Sequence, residues 1–129
     1  MHESKRIAKV QRYVNVACAH MYIRTSVIVE REFCSEDASA SVVSSGQGAH
    51  ISLGRGFFEM PATEQREVLA HELLHTLFDG MNNTLEAMTQ NVFGRVDLER
   101  FRFLQLKEEH AIIDSLQRVC ARLLPLPKF

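Results

Sequence analysis

A chain of 129 residues with 46% hydrophobic and 24% charged side chains can build one globular core, and is too short for that core plus an independent second lobe. Its formal net charge of −1 gives no general electrostatic attraction for nucleic acid or an anionic membrane. Three cysteines (Cys18, Cys34 and Cys120), odd in number and without CxxC spacing, argue against a closed disulfide framework and predict free thiols in a reducing, cytoplasmic setting.

The chain opens on an amphipathic pattern. From Lys5 to about Met21 the residues Ile7, Val10, Val14, Ala17, Cys18 and Met21 recur at helical spacing, with Lys5, Lys9 and Arg12 on the other side. Asn15 and His20 interrupt the semi-apolar segment Val14–Ile23, so neither a signal peptide nor a membrane span is expected there. The period then changes to two, and Ile23, Thr25, Val27, Val29 and Phe33 predict a strand with one buried face. Cys34-Ser35-Glu36-Asp37 breaks it. A second strand is expected over Ser39–Ser44, a turn over Ser45-Gly46-Gln47-Gly48, and a third strand over Ala49–Leu53.

Gly54–Met60 reads as a connection into a long helical pattern that starts near Pro61 and stops at Gly80. At about 100° per residue, Leu69, Ala70, Leu73, Leu74 and Leu77 form one apolar face, and Val68, His71, Glu72, His75 and Asp79 gather on the opposite side. A short helix over Thr84–Phe93, closed by Gly94, and a last helix capped by Asp97 follow. The last helix carries Ile112, Ile113, Leu116, Val119, Cys120, Leu123 and Leu124 as its apolar positions, and Pro125 and Pro127 end it. Arg95, Arg100, Arg102 and Lys107 are interleaved with Glu99, Glu108 and Glu109, the pattern of a solvated helix face rather than a nucleic-acid patch. No repeat or linker divides the sequence, which predicts a single α+β domain over residues 1–129. Its parts are an N-terminal helix, a small antiparallel or mixed three-stranded sheet with an edge hairpin, the central helix and a C-terminal helix.

The central helix contains His71-Glu72-Leu73-Leu74-His75, an HExxH sequence. Residues four apart share a helix face, so both imidazoles can point at one zinc ion with Glu72 beside it. A catalytic zinc takes three protein ligands and keeps a fourth position for water, so one ligand must come from elsewhere. The extended pattern HExxHxxGxxH is absent, because Phe78 and Met81 hold its glycine and last histidine positions. Asp79 sits at the expected helix end, where an orienting or capping role suits it as well as ligation. On the last helix Glu109 precedes Ile113 by four and Leu116 by seven residues, which carries its carboxylate toward the buried face. Glu109 is the leading candidate for the third ligand. Glu108 and His110 are alternatives, the latter with Asp114 as an orienting partner.

Gln65–Phe78 (QREVLAHELLHTLF), preceded by Ile51-Ser52-Leu53 and followed by Glu108-Glu109 leading into Ile112-Ile113-Asp114-Ser115-Leu116, resembles the small gluzincin-type metallopeptidase-like proteins of phages and prophages, relatives of the ImmA/IrrE group. The resemblance implies a minimal zincin-like fold, with zinc held by His71, His75 and a glutamate of the last helix, which corresponds to Glu109. It implies a zinc-dependent metallopeptidase with Glu72 as general base. The sequence departs from the ImmA-type pattern around that glutamate, where His110 precedes Ala111. A peptide or protein substrate is expected to lie extended beside the strand Ala49–Leu53. Tyr13, Tyr22, His50 and His110 are the candidates for a second electrophile. The competing expectation is a catalytically weak or inactive relative that acts as a protein-binding module, since a chain this short leaves little material for a deep specificity pocket.

Overall fold

A computed structural model describes residues 3–30, 40–45, 48–54, 56–93 and 95–129. The described elements are α1 (Glu3–His20), β1 (Val27–Glu30), β2 (Ala40–Ser45), β3 (Gly48–Leu53), a single 3₁₀ turn (Phe57–Glu59), α2 (Ala62–Phe93) and α3 (Arg95–Arg122). The class is α+β, as expected. Phe33, the break at Cys34–Asp37, and Gly46 and Gln47 of the expected turn lie outside the described residues.

The sheet is mixed, in the order β1-β3-β2, with β1 parallel and β2 antiparallel to β3. Alternation puts Val27, Val29, Ala49, Ile51 and Leu53 on its buried face. α1 lays Val10, Val14, Ala17 and Cys18 against that face, and α2 adds Leu69, Ala70 and Leu73 to the same core. Phe57 fills the corner, its carbonyl accepting a hydrogen bond at 3.0 Å from the buried amide of Gln65. Beyond α3 the tail returns over the core. Tyr13 donates to the Pro125 carbonyl at 2.6 Å, and the Phe129 ring packs against Tyr13 and Phe57.

The two outer strands have different edges. On β1, the side chain of Gln11 donates to the Val27 carbonyl at 2.9 Å and accepts from the Val29 N–H at 2.8 Å, so α1 occupies the position of a further strand. β2 is the opposite edge. Gly48, which starts β3, has φ +150°, and a Cβ there would lie 2.9 Å from the Ser26 carbonyl oxygen.

The helices depart from expectation at Gly80 and Asp97. α2 does not stop at Gly80 but runs unbroken for 32 residues, absorbing the expected separate helix Thr84–Phe93. Asp97 lies inside α3 rather than at its start. A mid-helix glycine costs only about 1 kcal/mol, and the packing of α2 along α3 opposes that cost. The two helices form an antiparallel hairpin in which His71 meets Gln117, His75 meets Glu109, and Glu86 pairs with Arg102. Leu77 and four of the apolar positions of the last helix, Ile112, Leu116, Val119 and Leu123, are exposed rather than buried. No helix among the described residues is long and apolar enough to cross a membrane.

α1 ends on Tyr22 with φ 56°, the Ile23 N–H reaching back to the Cys18 carbonyl at 2.9 Å. This is the left-handed cap that glycine favours, here occupied by a residue whose side chain is 87% exposed. Tyr22→Gly is therefore expected to stabilise the protein by about 0.5–1 kcal/mol, measured as a higher urea midpoint; a lower midpoint would contradict the capping argument.

Candidate metal centre

His71 and His75 lie one turn apart on α2, on the side that faces α3 and the edge strand β2. Their Nε2 atoms are 3.2 Å apart. Two nitrogens on one tetrahedral zinc, each about 2.0–2.1 Å from it, are about 3.3–3.4 Å apart, so the pair is already spaced as ligands. His110 on α3 completes the cluster: the three imidazoles each offer a nitrogen, all within 4.8 Å of one another. No other cluster of this kind occurs among the described residues.

The far nitrogen of each ring has an acceptor. His71 Nδ1 lies 2.7 Å from Gln117 Oε1, His75 Nδ1 lies 2.8 Å from Glu109 Oε1, and His110 Nδ1 lies 2.9 Å from the Leu106 carbonyl oxygen. Acceptors on all three Nδ1 atoms select the Nδ1–H tautomer, which leaves each Nε2 lone pair for a metal. This donor set fits a borderline-soft divalent ion such as zinc.

Glu109, the expected third ligand, does not join the three histidines. Helical register does carry its carboxylate inward, to 9% exposure, but there Oε1 accepts from His75 and Oε2 accepts from the Asn82 amide at 2.7 Å. Its place is behind His75. Glu108 does not line the cleft at the histidines; it borders a groove between α2 and α3 with Phe78 and Ile112. Asp114, the expected partner of His110, instead comes to 3.9 Å from His71 Nδ1. Asp79 lines the cleft beyond His75, inside the continuous helix.

Among the candidates for a second electrophile, only His110 is at the cluster. The Tyr13 hydroxyl donates to Pro125, Tyr22 is exposed at the end of α1, and His50 Nδ1 pairs with Glu30 at 2.8 Å. Gln117 and Asn82 were not singled out from the sequence. For Gln117 a signal exists, because it follows His110 by two helical turns and shares its face; Asn82 is recognisable only once α2 runs through Gly80.

Two clefts meet at the cluster. One, of about 600 Å³, runs past His75, Glu109 and His110; the other, of about 370 Å³, runs past Met60, Glu64, Glu67 and Gln117. His71, Glu72 and Ala40 of β2 line both, so together they form a trough along the edge strand with Glu72 at its centre. The strand Ala49–Leu53, expected to receive a substrate, is the central strand and is paired on both sides; the edge beside the site is β2. Compared with known proteins, the chain matches no protein-family model, no curated protein and no solved structure.

Glu72 is 8% exposed, and burial pushes its carboxyl up to about 7. In the metal-free protein the folded state therefore holds a proton that the unfolded chain releases near pH 4.5. The stability Glu72 contributes is fully present below pH 4.5 and is lost as pH rises through 7. With metal removed, unfolding free energy is expected to fall by up to about 3 kcal/mol across that window. Glu72→Gln should flatten the decline in urea titrations, and an equally steep decline in that variant would refute the assignment.

Proposed function

We propose that the protein is a zinc-dependent metallopeptidase with His71, His75 and His110 as the metal ligands and Glu72 as the general base. The observation that carries this reading is the convergence of three imidazoles, each with its Nδ1–H engaged, beside a buried carboxylate in a trough open to an edge strand. Glu109 and Gln117 orient the two α2 histidines, and Asn82 fixes Glu109. An HExxH helix preceded by a small sheet and followed by a helix that supplies the remaining site residues supports a zincin-like architecture of the type the sequence resembles.

When bound, zinc supplies Lewis acidity, making water a nucleophile near neutral pH and polarising a carbonyl. Glu72, at the centre of the trough, takes the proton from the attacking water and passes it to the nitrogen of the leaving amine. An extended peptide adds to the edge of β2, which no described strand pairs, and main-chain hydrogen bonds to Ala40, Ser41 and Val42 align its scissile bond over Glu72. Among the described residues, closure of the β1 edge by Gln11 leaves that one side of the sheet for the substrate.

Purified protein is expected to hold one zinc per chain by elemental analysis. His110→Ala should lose the metal, whereas Glu109→Gln should weaken binding about 10- to 100-fold; the reverse order would restore Glu109 as the ligand. In a peptide-library digest, Glu72→Gln should keep the zinc and lower turnover by at least about 10²-fold. Hydrolysis indifferent to both chelator and Glu72→Gln would remove the enzymatic reading.

A further inference from the structure

The α2–α3 hairpin has a second functional face. At about 100° per residue, His110 and Gln117 project to one side of α3, while Ile112, Leu116, Val119 and Leu123 project to the other, with buried Ile113 between them. Those four apolar residues are spaced four, three and four apart, as in a coiled-coil seam, and are 39% to 76% exposed. On the neighbouring surface of α2, Leu77, Met81 and Leu85 are exposed as well. Between the helices lies an apolar groove of about 280 Å³ lined by Phe78, Met81, Leu85, Phe101, Leu104 and Ile112. In its wall Gln105 Oε1 is buried without a hydrogen-bond donor among the described residues.

We propose that this face is a homodimer interface, in which two copies pair along α3 about a two-fold axis parallel to that helix. A seam at this spacing is matched by a helix lying lengthwise on it, and the helices of this chain are committed elsewhere: α1 to the sheet and α2 to the other side of Ile113. The exposed parts of the seam and of the adjoining α2 residues amount to roughly 700 Å² per copy, close to the ~800 Å² per partner of a standard stable interface. The polar residue within the seam selects a second copy over an unrelated helix. Gln105 precedes Ile112 by seven residues and lies on the same seam, so parallel pairing brings it against its own counterpart. One polar residue on an apolar seam then fixes the register. An isologous contact of this kind closes on itself, leaving both metal centres facing outward.

The test is sedimentation equilibrium of the full chain, with and without chelator, since the interface does not depend on the metal. The expected species is a dimer of twice 14.7 kDa. Leu116→Glu should weaken it at least about tenfold without changing the far-ultraviolet circular dichroism, and Val16→Lys, at an exposed apolar site on α1, should leave it intact. With Cys34→Ser and Cys120→Ser in place, Gln105→Cys should form a reducible covalent dimer under mild oxidation that the same chain with Gln105 does not form. A wild-type monomer at 100-µM-order concentration, a dimer insensitive to Leu116→Glu, or a dimer that Gln105→Cys does not cross-link would each overturn the proposal.

Discussion

The arrangement of the site depends on one buried carboxylate. Glu109 reaches across from α3 and accepts from His75 at 2.8 Å and from Asn82 at 2.7 Å, two residues of α2 separated by two helical turns. A carboxylate at 9% exposure is costly unless both oxygens are bonded, so α3 is held at the one rotation that satisfies them. That rotation decides everything further along the helix. One residue on, His110 is delivered to the histidine pair, and eight residues on, Gln117 meets His71. Turning α3 by a single residue, about 100°, would strand the carboxylate and withdraw His110 together.

The same clamp explains the length of α2. Asn82 lies beyond Gly80, where local propensity favours ending the helix; the ~1 kcal/mol cost of a helical glycine is opposed by a charge-assisted hydrogen bond worth about 1.5–3 kcal/mol and by burial of residues such as Leu74 and Ile113 in the hairpin. The sheet shows a comparable division of labour. Gln11 satisfies the polar groups of β1 from α1, so the sheet has one blocked edge and one edge next to Glu72. An exposed strand edge is a liability unless it has a use. Beside a candidate catalytic trough, the use we propose is recognition of an extended chain.

Local patterns were legible where one period dominated and a single face was buried. The α1 stripe and the alternation of Val27 and Val29 follow from side-chain spacing alone, and so does the common face of His71 and His75. Strand order was not legible, because β3 reads as any half-buried strand and its central position follows from a parallel pairing with a strand far back in the sequence. Glu109 illustrates the limit at the site. Register correctly drew its carboxylate inward, but an inward carboxylate can face a metal or the back of an imidazole, and the choice is made by Asn82 across the helix boundary that Gly80 seemed to mark.

The apolar stripe of the last helix was read as core, and in the isolated chain much of it is not buried. Ile113 accounts for the packing of α3 on α2, while Ile112, Leu116, Val119 and Leu123 form a separate ridge on the same helix. α3 thus carries two commitments at once, one polar and directed at the histidines, the other apolar and directed away from them. They are mechanically linked, because a helix cannot rotate one face without the other. A second copy seated on the ridge would resist the turning of α3 that the Glu109 clamp also opposes. In the proposed dimer, the contact that covers the ridge also keeps His110 over His71 and His75.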